Sequence, residues 1–169
     1  MRCFVAVDVG INENISSLLG NLKHIGKVVE GENLHITLKF LGEIESSTKI
    51  EEALSQIIFP RFKLVLKGLG AFPTLKRSRI LFINAIPVEN ISALASEVDA
   101  KTKEIHQDNP FHPHVTILRL KVQKDLSSLA SMYESTVFAE QEITSFRLYR
   151  STLTSRGPIY SVIRSFQLI

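Results

Sequence analysis

Two short segments of the sequence each carry a histidine and a threonine separated by one residue. LHITLKFLG contains His35 and Thr37, and PHVTILRLK contains His114 and Thr116. A random order of the same residues would give fewer than one such triplet. Two imidazoles facing one ligand can act as acid and base near neutral pH, and threonine hydroxyls can donate hydrogen bonds to phosphate oxygens. The pair therefore favours a phosphodiester substrate with a leaving oxygen that must be protonated, such as a cyclic phosphate.

Both triplets lie in segments whose apolar residues alternate, which predicts β-strands. Side chains alternate along a strand, so each histidine shares a face with its threonine. Alternation predicts further strands in MRCFVAVDV, RFKLVLKGL, RILFINAI, ITSFRLYRS and PIYSVIRSFQLI. Helical periodicity predicts helices in INENISSLLGNLKHI, SSTKIEEALSQII, VENISALASEVDAKTKEI and KDLSSLASMYES, the first with Asn12 as its N-cap.

The order of these elements repeats along the chain. The segment ENIS at 13–16 returns at 89–92, and the two His-x-Thr triplets recur at nearly the same spacing. The repeat divides the chain approximately into residues 1–76 and 77–169. It predicts a single bilobal α+β domain over residues 1–169, with lobes that interleave in sequence. Each pseudo-symmetric lobe is expected to be an antiparallel sheet with outer helices, and the two lobes are expected to flank a central cleft.

Composition and charge are consistent with a soluble protein that binds an anion. The chain has 169 residues, of which 44% are hydrophobic and 22% are charged, and a net charge of +3. Residues 61–79, 112–124 and 143–169 contain lysine and arginine but no acid, and this segregation of positive charge suits a phosphate-bearing ligand. The single cysteine, Cys3, favours a reducing compartment. With no signal-peptide core and no apolar run of ~18 residues, we expect a cytoplasmic monomer that does not contact a membrane.

The same segments resemble a known family. LHITLKFLGEI, FHPHVTILR, the opening MRCFVAVDV and the closing STLTSRGPIY are similar to the 2H phosphoesterase superfamily, and within it to the RNA 2′,3′-cyclic phosphodiesterases, also called the 2′-5′ RNA ligase family. The resemblance covers nearly the whole chain. It implies a LigT-like fold and hydrolysis of an RNA-terminal 2′,3′-cyclic phosphate to a 2′-phosphate, without metal or other cofactor.

The resemblance also implies roles for individual residues. His35 corresponds to the proton donor to the departing 3′-oxygen, and His114 to the proton acceptor from water. Thr37 and Thr116 correspond to residues that hold the phosphate. The residues five positions beyond the histidines, Phe40 and Arg119, match pocket positions that contact a base and a phosphate, respectively.

Strict strand alternation conflicts with this last assignment. It places Phe40 and Arg119 on the face opposite the histidines, so either a β-bulge intervenes or these two side chains lie outside the cleft. Lys39 has the alternation expected of a cleft residue and is the alternative.

Other interpretations remain open from the sequence. His112 and His114 with His35 could form a three-histidine zinc site, although zinc would explain neither threonine. A non-catalytic RNA-binding module could use the same basic cleft. The acid–base chemistry could also act on another cyclic phosphodiester, or run in reverse as 2′-5′ ligation. The expected partners are RNA ends or small cyclic-phosphate nucleotides.

Overall fold

The fold is built from nine strands and four α-helices among the residues that the structure describes. The structure is a computed structural model that describes residues 1–107 and 109–169. The elements in chain order are β1 (Arg2–Asp8), α1 (Glu13–Leu22), β2 (Lys27–Val28), β3 (His35–Glu43), α2 (Thr48–Ser55), β4 (Phe62–Thr74), β5 (Arg77–Ile86), α3 (Val88–Lys101), β6 (His114–Lys124), α4 (Ser127–Met132), β7 (Val137–Ile143), β8 (Ser145–Thr154) and β9 (Gly157–Gln167).

The strands form two antiparallel sheets. The first sheet has the order β3-β1-β8-β9, and the second has the order β2-β6-β5-β4-β7. Apart from the short edge strand β2, which the sequence pattern does not predict, the two orders correspond position by position. In each sheet the His-x-Thr strand lies next to an earlier strand of the same repeat: β3 lies next to β1, and β6 lies next to β5. The predicted α+β architecture of two related antiparallel sheets with helices is confirmed.

The two sheets exchange strands between the halves of the repeat. The strand β4 comes from residues 1–76 but lies in the second sheet, while β8 and β9 come from residues 77–169 and lie in the first. Each sheet therefore needs both halves of the chain. Neither half contains all the strands of one sheet, so the pairing of distant segments positions the two histidine strands.

The helices cover the sheets through apolar stripes that the sequence makes visible. In α1 the buried residues are Ile15, Leu18, Leu19 and Leu22, and the side chain of Asn12 accepts a hydrogen bond from the Ile15 amide at 2.9 Å, as predicted for an N-cap. Burying each such side chain contributes about 1.5–3 kcal/mol. Buried residues of both sheets and of α1, α2, α3 and α4 belong to one continuous hydrophobic cluster.

The two histidine strands approach each other across the sheets. The strands β3 and β6 are in contact although they belong to different sheets. We call the space bounded by the histidine-bearing faces of β3 and β6 the cleft. Over the part of the chain that is described, no helix is long and apolar enough to span a bilayer.

Candidate active site

The two histidines are held in the same way. The Nδ1 atom of His35 lies 2.7 Å from the carbonyl oxygen of Asn33, and the Nδ1 atom of His114 lies 2.5 Å from the carbonyl oxygen of His112. Because a carbonyl oxygen only accepts, each Nδ1 must carry the proton and donate it. The nitrogen that gains or loses a proton is therefore Nε2 in both rings.

Burial lowers the pKa of both imidazoles. Desolvation is the largest cause for each, and the hydrogen bond to the backbone carbonyl acts in the opposite direction. The charge of His114 and the charge of Arg119 further lower the pKa of His35, which places these two groups within electrostatic reach of the first histidine. Because the contacting strands β3 and β6 carry them, the structure brings both predicted catalytic histidines to one cleft.

The two threonines lie beside the histidines on the same strand faces. Thr37 and Thr116 are half-buried, whereas the residues that alternate with them are buried in the core. In the neighbouring strands, Thr37 is paired with Ala6 and Thr116 with Phe82. Each sheet therefore presents one imidazole and one hydroxyl from a strand whose opposite face is fixed by core packing.

A β-bulge follows the threonine in both strands. The register of β3 against β1 skips Leu38, and the register of β6 against β5 skips Ile117, the residue directly after the threonine in each case. The residues that follow, Lys39 and Leu118, are also buried, and the residues after those, Phe40 and Arg119, are exposed. An extra residue in one strand reverses the alternation beyond it. The bulges consequently return Phe40 and Arg119 to the face that carries the histidines.

Phe40 and Arg119 occupy equivalent places but differ in what they offer. Phe40 is 58% exposed, and its ring centroid lies 6.3 Å from that of Phe4, which in turn packs on His35. Arg119 is exposed, and its positive charge affects the pKa of His35, His114 and Tyr160. The first is an apolar surface for a flat ligand group, and the second is a cation for an anionic one.

Lys39 does not reach the cleft, and the alternative that placed it there is wrong. Its side chain is 1% exposed, and Nζ donates to Asp99 at 2.6 Å and to the carbonyl oxygen of Thr102 at 3.0 Å. Both acceptors lie at the end of α3. The bulge that returns Phe40 to the cleft turns Lys39 towards this helix, and the lysine ties β3 to α3.

His112 contributes its backbone and its ring to the surroundings of His114. Its ring centroid lies 5.9 Å from that of His114 and 5.5 Å from that of Phe72. No three His, Cys, Asp or Glu side chains among the described residues are grouped so that they could hold a metal ion. The three-histidine zinc arrangement is therefore not formed by His35, His112 and His114.

Aromatic rings pack around each of the two histidines. The rings of Phe4 and Tyr160 pack on His35, with centroid distances of 5.1 and 5.4 Å. His114 lies near Phe72 and Phe82, with centroid distances of 5.0 and 5.1 Å. These rings desolvate the imidazoles and restrict their rotation.

The ring of Phe82 is accommodated by a glycine in the neighbouring strand. A Cβ atom at Gly70 would lie 2.5 Å from the Phe82 ring, so any larger residue would displace it. In the first sheet the sizes are exchanged: the small Ala6 stands at the place of Phe82, and its register partner, the large Arg147, stands at the place of Gly70.

A cavity of about 620 Å³ opens on the side of His35. Its described lining residues include His35 but not His114, so it extends from one half of the cleft only. At its wall, the carboxylate of Asp8 accepts hydrogen bonds from Arg147 and from the hydroxyl of Tyr149. The cavity has the volume of a site for a small organic ligand.

The sequence motifs do not indicate Asp8, Tyr149 or Tyr160. These residues reach the site because β1, β8 and β9 are neighbours in the first sheet. For Asp8 the available signal was the repeat, since Asp8 and Asn84 hold equivalent places on the strands that precede the two His-x-Thr strands; the repeat gives no such signal for Tyr149 or Tyr160.

Comparison with known proteins finds one family. Residues 13–154 match the family model described as the 2'-5' RNA ligase superfamily. A protein of Archaeoglobus fulgidus named RNA 2',3'-cyclic phosphodiesterase is 40% identical over 99% of this chain and 100% of its own length. Proteins with the same name from Aquifex aeolicus and Escherichia coli are 39% and 30% identical, over 88% and 99% of this chain and 85% and 96% of their own lengths, respectively.

Solved structures share the whole fold. The crystal structure of TT0787 of Thermus thermophilus has a TM-score of 0.82 and 29% identity, and the match covers 99% of this chain and 97% of that one. The crystal structure of Escherichia coli LigT complexed with 3'-AMP has a TM-score of 0.80 and 25% identity, with the same coverage of both chains.

Proposed function

Because the chain belongs to the 2'-5' RNA ligase superfamily, we propose that it hydrolyses the terminal 2′,3′-cyclic phosphate of RNA to a 2′-phosphate. The observation that carries this proposal is the pair of half-buried histidines, each with Nδ1 bound to a carbonyl and Nε2 left to exchange a proton. The names of the relatives in Archaeoglobus fulgidus and Escherichia coli support the same substrate class.

In the proposed reaction, water attacks phosphorus while the bond from phosphorus to the 3′-oxygen breaks. Nε2 of neutral His114 takes a proton from the attacking water, and Nε2 of protonated His35 gives a proton to the departing oxygen. Each histidine ends in the other protonation state and is reset by exchange with solvent. No covalent intermediate with the protein is needed, and the histidines supply both proton transfers without a metal ion.

The remaining site residues bind the anion and its nucleoside. Thr37 and Thr116 donate hydrogen bonds to the non-bridging phosphate oxygens, where negative charge increases in the transition state. Arg119 neutralises that charge, and its effect on the pKa of both histidines supports this central place. Phe40 offers its exposed face to a base. One bilobal domain, residues 1–169, performs the reaction, because each sheet contains strands from both halves.

The lowered pKa of both histidines has a consequence for the bound state. In the free protein burial favours neutral imidazoles, which suits His114 as a base but not His35 as an acid. A bound cyclic phosphate brings a negative charge to the cleft and favours the protonated form of a histidine beside it. Substrate binding thus favours the protonated form of His35 that the proton donor requires.

A short RNA ending in a 2′,3′-cyclic phosphate, incubated with the purified protein and a metal chelator, tests the proposal. We expect conversion to a 2′-phosphate by the parent protein and not by His35→Ala or His114→Ala. RNA binding should persist in both variants. Binding without conversion by the parent would contradict the proposal and favour a non-catalytic RNA-binding module.

A second RNA with a free 5′-hydroxyl tests the ligation that the family description names. If a 5′-hydroxyl replaces water as the attacking group, the same two proton transfers form a 2′-5′ linkage. A ligated product that depends on both histidines would add this activity, and a product of hydrolysis alone would exclude it under those conditions.

A further inference from the structure

The strands next to the two histidine strands place different residues opposite the histidines. In the first sheet Asp8 is the register partner of His35, and in the second sheet Asn84 is the register partner of His114. The positions are equivalent, because Asp8 and Asn84 precede the two copies of the ENIS segment at the same distance in sequence. At this place the two sheets have side chains of nearly the same shape but different charge.

The carboxylate of Asp8 is fixed in position. One oxygen accepts from Arg147 and the other from the hydroxyl of Tyr149, both from β8. The backbone carbonyl of Asp8 accepts from the side chain of Gln141 in β7 at 2.7 Å. Asp8 and His35 both line the 620 Å³ cavity, so the carboxylate faces the space in which His35 works.

The charges around the two imidazoles therefore differ. The pKa of His35 is lowered overall, chiefly by burial; the charges of His114 and Arg119 on β6 lower it further, and the negative charge of Asp8 on β1, the weakest of these influences, raises it. Tyr160 on β9 also packs on His35. For His114, the charges that act are those of His112 and Arg119, and both lower its pKa. Only the first histidine has an acid acting on it among the described residues.

We propose that Asp8 is the positioning residue that makes His35, rather than His114, the proton donor. This inference rests on the proposed function and explains how two nearly identical histidine strands take different roles. A negative charge beside His35 stabilises its imidazolium, while the neutral amide at Asn84 leaves His114 free to act as a base. Arg147 and Tyr149 hold the carboxylate in place.

Asp8→Asn and Asn84→Asp test the inference as a matched pair, because each changes one charge with little change in shape. Imidazole NMR titration of the free protein should show a lower pKa for His35 in Asp8→Asn, with His114 unchanged. Asn84→Asp should raise the pKa of His114, and any change at His35 should be smaller and downward, because the charge of His114 lowers the pKa of His35. At neutral pH, hydrolysis of the RNA cyclic phosphate by Asp8→Asn should fall roughly three- to tenfold, since one pKa unit changes a protonated fraction up to tenfold.

Tyr149→Phe distinguishes a charge effect from a structural one. It removes one hydrogen bond to the Asp8 carboxylate and keeps its charge, so the titration of His35 should move less than in Asp8→Asn. If Tyr149→Phe and Asp8→Asn lose the same activity and neither moves the His35 titration, Asp8 is only structural and the inference is wrong. If the parent protein does not open the cyclic phosphate, the proposed function fails and the donor role fails with it. An unchanged His35 titration in an active Asp8→Asn enzyme overturns the role of Asp8 alone.

Discussion

The two histidine strands are alike in backbone and burial but differ in the groups around them. From His35 to Leu41 and from His114 to Leu120, the sequence of half-buried, buried and exposed residues is the same, including the bulge. Around this shared frame, the first sheet has Asp8, Phe40 and the buried Lys39. The second sheet has other residues at the equivalent places, Asn84, Arg119 and Leu118.

This difference shows how a duplicated unit can support an asymmetric reaction. The common frame delivers an imidazole and a hydroxyl from each sheet with the same geometry, which a single phosphate between them requires. The division into acid and base needs unequal electrostatics, and the equivalent positions next to the frame supply it. Substitutions at the residues that differ should therefore affect the two halves of the cleft unequally.

The largest effect should come from the histidines themselves and should separate their roles. His35→Ala and His114→Ala should each lose about 10²–10⁴-fold in kcat on RNA with a 2′,3′-cyclic phosphate. With sulfur in place of the 3′-oxygen, the departing thiolate needs no proton, so His35→Ala should recover most of its loss and His114→Ala should not. Single-turnover rates measure this.

The exposed His24 provides a control, since His24→Ala should leave both rates unchanged. Equal recovery of the two cleft variants on the sulfur substrate would contradict the assignment of His35 as the acid.

The second prediction concerns Lys39 and its equivalent Leu118. Asp99→Ala should destabilise the fold by about 2–3 kcal/mol, because it removes the carboxylate that pairs with the buried Lys39 ammonium. The remaining hydrogen bond from Lys39 to the Thr102 carbonyl limits this loss. Lys39→Leu, which copies the second sheet, should cost only about 1 kcal/mol, since Asp99 is 64% exposed and regains water. Chemical denaturation measures both. A larger loss for Lys39→Leu than for Asp99→Ala would show that the ion pair is not the main interaction at this site.

The third prediction compares Phe40 with Arg119. Arg119→Met should reduce kcat/KM by roughly 10–100-fold, the loss expected for a charge-assisted hydrogen bond to phosphate. It should also raise the pKa of His35 and of His114, because the charge of Arg119 lowers both. Phe40→Leu should act mainly on KM and by less than tenfold.

The exposed Arg150, whose register partner is Cys3, gives the control variant Arg150→Met. An equal loss in Arg150→Met would mean that overall charge, and not the place of Arg119, matters.

The smallest effect is on stability as pH changes. Burial lowers the pKa of His35 and His114 in the folded chain, so below the ordinary value of 6.5 the unfolded chain binds more protons. Each neutral histidine therefore contributes its full share of stability above pH 6.5. That contribution is lost as the pH falls from 6.5 to the lower pKa that the histidine has in the folded chain. Thermal unfolding from pH 8 to pH 5 should show this loss, and it should be smaller in His35→Asn or His114→Asn. The same dependence in parent and variants would mean that other groups cause it.

Much of the site was predictable from local sequence. The His-x-Thr pair, its position on strands and its recurrence alongside the ENIS segment predict two related sheets with one imidazole and one hydroxyl each. A side-chain period of two needs no tertiary information, and the apolar residues between the polar ones fix which face is buried. The N-cap at Asn12 was predictable for the same reason, because it depends on the residues that immediately follow it.

Pairing between distant segments decided the rest. Alternation alone placed Lys39 in the cleft and Phe40 and Arg119 outside it. The bulges at Leu38 and Ile117 reversed this, and a bulge is defined only against the neighbouring strand. The exchange of β4 and β8 between the sheets likewise depends on contacts that no local pattern encodes.

The sequence by itself determined which chemical groups this protein brings to a phosphate, because motif, spacing and strand period are local properties. The tertiary structure decided which other groups act on them. Asp8 and Tyr160 come from strands far apart in the chain, and they meet His35 through a charge and a ring, respectively. Electrostatic interactions follow position in space, so the difference between the two histidines became visible only when β1 and β5 were paired with β3 and β6.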